Sequence, residues 1–448
     1  MIGVILCILA LFLYYKENKA LSLTIFYLLT FRGMGIIPFM SNGIKTPDMA
    51  ITYMVVICII SLITHKKGFY RKDKLSKYIA YLGIFIFISS LVSYFYYGFT
   101  LVQIITVVRG YLYILSYYIL RDLTLEQHKK LFSYLSAIAF FSCIVYLLQI
   151  PLKRPLLFTI NEFKFDQGDR YGGLLRFTNI PPLRDLFFFL SFFAFSYYNQ
   201  RIKPKYQKII YSLSILLSFG RTATITAFGI LIATLSFRKK KYIAWIILAL
   251  IFLYPLITFM SDTMNKRDSS LDMEMIAKGE YKNYTTGYKA ESTTMTYRFA
   301  WVYERWEYIK QRPFIEQLFG FGFISEEDPE ALKRYRFSVI DYGAQSETFQ
   351  LIYSADIAYG NFITRWGLLG SVLLLSVWFY LLSFFWKNRQ NDLAYAALAL
   401  WLYLFICNFS SRGMSETNTM INFFAIYAYF NTLNKTKNET VNHNRNLQ

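Results

Sequence analysis

The chain has 448 residues, of which 55% are hydrophobic, 20% aromatic and only 17% charged. That balance excludes a soluble globular protein of this length and defines a polytopic membrane protein, all α-helical in its spans. The formal net charge of +20 invites nucleic acid as a partner, but roughly half of the Lys and Arg sit in alternate short loops, which is the positive-inside signature and speaks against nucleic acid.

The first apolar run, Ile2 to Tyr15, has no basic flank before it and no small-residue cleavage site after it. It reads as a span and not as a removable signal. Lys77 to Gly98, Leu131 to Ile150, Tyr242 to Met260, Trp366 to Trp386 and Leu393 to Phe409 each approach or reach the length of a crossing helix. On the criterion of roughly 17 to 25 residues per crossing, about 13 spans are expected. Lys16 and Lys19, Lys66 to Lys74, Lys129 and Lys130, Arg201 to Lys208, Arg238 to Lys241, and Lys387 with Arg389 mark the cytoplasmic face. Counting spans between them puts the N-terminus outside and the C-terminus inside. The expected division is N-terminal spans over 1–150, a first outer loop over 151–182, central spans over 183–260, a long outer segment over 261–354, C-terminal spans over 355–433, and an Asn-rich disordered cytoplasmic tail over 434–448.

Cys7, Cys58, Cys143 and Cys407 all fall within apolar runs, where a thiol is a small packing residue, so neither a disulfide nor a metal-thiolate cluster is expected. His65, His128 and His443 map to the cytoplasmic side. A reaction on the outer face would therefore use neither a His base nor a His-held metal.

In chain order, the first candidate is Arg109, inside the apolar run Ile104 to Leu120. An ionisable group at that depth marks a functional site or a helix-to-helix ion pair. Arg170 and Arg176 follow in Arg-Tyr-Gly-Gly-Leu-Leu-Arg-Phe, either as solvated loop arginines or as groups reaching a ligand that the Gly-Gly pair lets approach. Asp185 and Arg365 lie near the outer ends of their spans. Ile209 to Phe237 has basic loops on both flanks, so it must enter and return as a hairpin, with Gly220, Arg221 and Thr222 near its tip. Each arm is about 12 to 17 residues, short of a full crossing. A guanidinium at that depth costs on the order of 2.5 to 3.5 kcal/mol, so Arg221 either pairs with a carboxylate or faces a water-filled cavity.

The long segment Ser261 to Ser354 is the only stretch with room for an aqueous site of any size. Within it, Tyr297 to Gln311 reads as a helix that places Arg298, Arg305 and Arg312 in one stripe. A row of guanidiniums can hold a phosphate or diphosphate bidentately. Trp301, Tyr303, Trp306 and Tyr308 add flat faces of the kind sugars stack against. The alternative is an amphipathic helix whose arginines pair with Glu304, Glu307 and Glu316 while its aromatics lie at the headgroup level.

The order of parts matches a known pattern. A Ser-Phe-Gly-Arg-Thr-Ala hairpin (Ser218 to Ala223) is followed by one span and a long outer loop opening with Tyr-Arg-Phe-Ala-Trp (Tyr297 to Trp301). Leu-Phe-Gly-Phe-Gly-Phe (Leu318 to Phe323) comes next, then Asp-Ile-Ala-Tyr-Gly-Asn through Trp-Gly-Leu-Leu-Gly (Asp356 to Gly370). This arrangement resembles the O-antigen polymerase and O-antigen ligase superfamily over about Leu183 to Phe385, closest to the polymerases. The resemblance implies a GT-C-like membrane glycosyltransferase in the bacterial inner membrane, its long loop periplasmic and its donor an undecaprenyl-diphosphate-linked oligosaccharide. In that family an Arg at the hairpin and an Arg opening the outer loop hold the diphosphate, which here means Arg221 and Arg298. Arg305, Arg170, Arg176, Trp301, Trp306 and Arg109 are then expected to contact substrate. Ligases of the superfamily carry His-Asn where this chain has Asp356, a departure that favours a polymerase and leaves the general base open. Asp356 or Glu347 can accept a proton if burial tunes its pKa, and Asp356 can instead cap its helix. No cofactor or metal is implied. The expected partners are lipid-linked glycans, membrane lipid, a chain-length determinant and a flippase. A ligase to lipid A core is the nearest alternative. A lipid-linked oligosaccharide flippase would not need an outer segment of about 90 residues, a length at which loops are usually functional.

Overall fold

The computed structural model describes residues 2–38, 40–41, 44–64, 69–70, 72–158, 170–171, 174–175, 177, 179–198, 202–218, 220–238, 274–282, 294–325, 328–335, 337–339, 341–342, 349–350, 357–409 and 411–446. The N-terminal helices are α1 (Ile2–Tyr15), α2 (Lys19–Thr30), α3 (Thr46–Ile63), α4 (Lys74–Phe95), α5 (Leu101–Tyr111), α6 (Ser116–Arg121) and α7 (Leu125–Leu152). Then come α8 (Arg184–Phe193), α9 (Pro204–Leu216) and α10 (Arg221–Arg238), and in the outer segment α11 (Thr294–Lys310), α12 (Phe314–Phe319) and α13 (Pro329–Arg334). The chain closes with α14 (Ala358–Asn361), a π turn over Phe362–Trp366, α15 (Gly367–Lys387), α16 (Asp392–Cys407) and α17 (Thr417–Asn446). The described strands are two-residue antiparallel hairpins: Met40–Ser41 with Ile44–Lys45, Arg170–Tyr171 with Leu174–Leu175, and Asp341–Tyr342 with Phe349–Gln350.

Helix starts follow the local chemistry. Asp73 with Ser76, Thr100 with Gln103 and Thr124 with Gln127 form reciprocal capping boxes at the heads of α4, α5 and α7. These satisfy backbone N–H groups that a helix end otherwise leaves unpaired. The middle of α16 is buried all round, from Leu393 through Trp401, and it packs against α8, α10, α15 and α17, as expected of a helix that is apolar on every side. By contrast, Ile84, Phe87, Ile88, Leu91 and Phe95 of α4 stay exposed. An outward apolar face on a long helix suits lipid, not water.

Among the described residues, five helical runs are long and apolar enough to cross a membrane: Thr46–Ile63, Lys74–Phe95, Leu101–Arg121, Leu125–Leu152 and Ala358–Lys387. Ile2–Tyr15, Lys19–Thr30, Thr222–Arg238 and Asp392–Cys407 are shorter apolar helices. The protein is thus a multi-pass, helical membrane protein. The expected span from Tyr242 to Met260 lies outside the described residues. The tail expected to be disordered is instead helical to Asn446, where the last apolar helix continues unbroken. Thr432 and Thr436 donate back to the carbonyls of Ala428 and Thr432, one helical turn earlier.

At the end expected to face the cytoplasm, cations meet carboxylates. Lys19 lies 3.0 Å from both Glu17 and Asp122, Arg121 lies 2.8 Å from Asp73, and Arg238 pairs with Asp392. At the opposite end the outer segment is seated on the bundle by backbone. The Phe321 N–H donates to the Thr364 carbonyl at 2.7 Å and the Phe323 N–H to Ser93 Oγ at 2.9 Å. Gly320 and Gly367 both sit at positive φ, +72° and +61°, and a Cβ on either would lie within 2.4 Å of a backbone oxygen of the facing segment. Only glycine allows that approach with that backbone.

Candidate functional site

The Arg221 turn is built by two short helices. Pro204 opens α9 with its missing N–H at a position that needs none. At the far end Ser218 Oγ donates back to the Ile215 carbonyl at 2.7 Å, and Thr224 Oγ1 reaches the same carbonyl at 3.1 Å. These bonds tie the first turn of α10 to the last turn of α9. Arg221 is the first residue of α10, and its backbone alone is described. Beneath the turn, the fully buried Arg184 donates to Asp185 at 2.8 Å and to the Ser214 carbonyl at 3.2 Å, while Tyr403 donates to Asp185 at 3.0 Å. Asp185 thus joins α8 to α16, and Arg184 fixes α9 to both.

The three arginines of the expected stripe, Arg298 and Arg305 on α11 and Arg312 in the turn before α12, have three different surroundings. Arg298 is half-buried, its Nη1 3.7 Å from Met295 Sδ. Arg305 is fully buried, sandwiched 4.1 Å above the Trp301 ring and 4.2 Å from the Phe337 ring. It donates to Glu304 at 2.8 Å and to the Val339 carbonyl at 2.7 Å, and Glu304 in turn accepts from the Ser338 and Val339 N–H groups. Arg312 donates to Glu316 at 2.7 Å, and that hydrogen bond raises its pKa further. Trp301 is buried against Gly360, where a Cβ would sit 2.0 Å from its ring. Arg305 and Trp301, both expected to contact substrate, are thus buried together, Arg305 between two aromatic rings and beside the Glu304 carboxylate. Trp306 keeps 39% of its surface exposed.

Arg109 forms a helix-to-helix ion pair with Asp48 at 3.0 Å, the second of its two expected readings. Arg170 stands opposite Leu175 in a two-residue strand pair, with its backbone alone described. Arg176, Glu347 and Asp356 lie outside the described residues.

Sequence reasoning missed a polar cavity of about 200 Å³ at the outer end of the bundle. Its charged lining is three arginines, Arg32, Arg365 and Arg412, against one carboxylate, Glu416. Arg32 follows α2 in a left-handed turn, with φ of +54° at Arg32, +69° at Gly33, +51° at Met34 and +73° at Gly35. Non-glycine residues in that region cost roughly 1 to 2 kcal/mol each. The turn is held from outside: Ser142 of α7 donates to the Met34 carbonyl at 3.2 Å, and the Phe158 N–H to the Gly35 carbonyl at 2.8 Å. Arg32 keeps an exposed surface, yet the protein around it displaces water. That enclosure pulls its pKa below the ordinary value, Glu416 opposes the shift and the neighbouring Arg412 adds to it. Arg365 lies on the π turn, a local widening that recurs at functional sites, and donates to the Tyr111 hydroxyl at 3.4 Å. Arg412 pairs with Glu416 at 2.8 Å. Its loop is stapled to α14 and α15: Ala358 N–H donates to the Ser411 carbonyl at 3.0 Å, and Trp378 Nε1 to the Met414 carbonyl at 2.9 Å.

Residues 208–375 match the family described as O-Antigen ligase, a match that supports a likeness to the O-antigen polymerase and ligase superfamily, whose members are glycosyltransferase-like enzymes. No curated protein matches the chain. The matched region contains Arg221, Arg298, Glu347, Asp356 and Arg365, whereas Arg32 and Arg412 fall outside it.

Proposed function

We propose that this protein is a polymerase of bacterial surface polysaccharide, O-antigen or capsule, joining undecaprenyl-diphosphate-linked repeat units on the outer face of the inner membrane. The observation that carries the reading is the family match over 208–375, which spans both the Arg221 turn and the Arg298 helix. Asp356, in the place where the superfamily's ligases carry His-Asn, favours polymerisation. In the reaction, a hydroxyl at the non-reducing end of one unit attacks the anomeric carbon of the other. The anomeric carbon–oxygen bond to phosphate breaks, undecaprenyl diphosphate leaves with the bonding pair, and the hydroxyl proton passes to Asp356 or Glu347. Arg221 and Arg298 meet the charge that develops on the leaving group, and cations placed there lower the barrier more than they tighten binding. A GT-C-like arrangement of about 13 spans, with a periplasmic N-terminus and a cytoplasmic C-terminus, goes with this reading.

The test is purified protein in liposomes with a defined lipid-linked repeat unit. A ladder of multiples is expected, abolished by Arg221→Ala and reduced to a trace by Arg221→Lys, which keeps the charge but loses the bidentate fork. Ladders of normal length from stably inserted Arg221→Ala protein defeat the assignment. The matched description itself favours a second reading, a single transfer to lipid A core. In the same liposomes supplied with lipid A core, that activity gives one product and no ladder. Single-cysteine labelling should find position 293 accessible from outside and position 240 from inside.

A further inference from the structure

Joining two copies of one lipid-linked unit imposes a demand on the protein. The donor's diphosphate must be held where it leaves, while the acceptor's diphosphate stays bonded to its own glycan and needs a place of its own. Resting on the polymerase reading, we propose that the Arg32–Arg365–Arg412 cavity holds the diphosphate headgroup of the acceptor, as a site separate from the Arg221 turn.

Four observations support this. The described lining comes from the end of α2, the start of α3, α5 and the turn after it, α14, the π turn, the loop before α17 and the start of α17, and no described residue of α8, α9, α10 or α11 contributes to it. Among the described lining residues, three guanidiniums stand with one carboxylate. Guanidiniums are the groups that match phosphate oxygens with paired donors, and Asn361 and Asn418 add neutral hydrogen-bonding capacity beside them. Arg32 is delivered by a turn in a costly left-handed conformation that α7 and the Leu157–Phe158 backbone hold in place. Strain of this kind persists where the surroundings over-determine it, and it clusters at ligand clamps. Finally, α5 carries both kinds of surface. Val107, Gly110 and Tyr111 line the cavity, while Leu101, Val102 and Ile105 of the same helix are 61%, 76% and 61% exposed. A headgroup in the cavity would leave its prenyl chain along that apolar face, which a free phosphate has no use for.

Equilibrium binding of undecaprenyl diphosphate to the full chain in nanodiscs tests the site without relying on activity. Wild type should bind two molecules and the Arg32→Gln/Arg412→Gln double variant one, with Arg221→Ala independently removing the other. Inorganic pyrophosphate at equal concentration should displace neither. A stoichiometry of one for wild type, or an unchanged stoichiometry of two in a correctly melting double variant, overturns the proposal. Equal displacement by pyrophosphate overturns the lipid headgroup as the source of the anion. If the double variant does not accumulate, Arg412→Lys serves in its place, with weakened binding at one site only as the expected result. A kinetic arm separates this inference from the polymerase reading. With a donor blocked at its acceptor hydroxyl and an acceptor linked through a non-cleavable phosphonate, the double variant should raise KM for the acceptor at least tenfold and leave KM for the donor in place. A parallel rise in both overturns the acceptor assignment, whereas absence of any ladder from wild type with the unmodified repeat unit defeats the polymerase reading while the binding stoichiometry still decides the site.

Discussion

Two sets of three arginines, in the stripe from α11 to the turn before α12 and in the cavity, show how differently position along the chain and position in space bear on chemistry. Arg298, Arg305 and Arg312 recur at a fixed helical spacing within one segment, and carboxylates of the same segment, Glu304 and Glu316, pair with the second and third. Arg32, Arg365 and Arg412 come from three distant places in the chain, and the cavity they share has a single carboxylate. A stripe made by one segment meets carboxylates of that same segment. A group assembled by the fold draws its charges from separate segments, and among its described residues only Arg412 has a carboxylate one turn away in sequence.

The strongest way to break this contrast acts on α11 without touching a charge. Gly360→Ala puts a methyl about where the Trp301 ring lies, 2.0 Å away. Displacing Trp301 also unseats Arg305 above it, and a cost of about 3 kcal/mol is expected from such overpacking. An unshifted melting temperature in detergent would remove the packing account of the stripe. Arg305→Ala comes next, at about 2 kcal/mol, because Glu304 keeps its two backbone donors but loses its buried cation. The loss should show as a lower melting temperature and less accumulated protein, with activity falling only in proportion to protein. Activity lost from a fully stable Arg305→Ala protein would move Arg305 from packing to substrate. Arg412→Gln should change melting by under about 1 kcal/mol, since its pair with Glu416 is partly exposed, while still raising KM for the acceptor. The smallest effect is expected at Arg312→Ala, also under about 1 kcal/mol, with ladder length unchanged. An activity loss at Arg312 equal to that at Arg412 would erase the distinction between the two sets.

The helical class, the turn that starts α10 at Arg221 and the helix carrying Arg298 were legible in the sequence because each is a local pattern of hydropathy, basic flanks or spacing. The Arg109–Asp48 pair was legible as one of two readings, since an intramembrane cation needs a partner even when the partner cannot be named. The enclosure of Arg305 was not, because Phe337 and Val339 lie some thirty residues away and reach it only after the outer segment closes on itself. The cavity was hidden for the same reason and for another: the family resemblance begins near Leu183 and ends near Phe385, so Arg32 and Arg412 stood outside its frame. Two local signals were nonetheless present. Arg-Gly-Met-Gly at 32–35 interrupts an apolar run with an arginine flanked by glycine, and Arg412 precedes Glu416 by one helical turn in an outer loop.

The contact of Gly320 with Gly367 has a wider implication. The outer segment is moored to the bundle there by main-chain atoms, N–H to carbonyl and glycine against glycine. A mooring that engages the segment through its own backbone, with Ser93 and Tyr97 of the bundle bonding to Phe323 N–H and the Gly320 carbonyl, places few demands on the segment's side chains. The rest of the segment can therefore change its surface to suit different glycans while remaining berthed at the same angle, so that a new sugar specificity requires new side chains but no new fold.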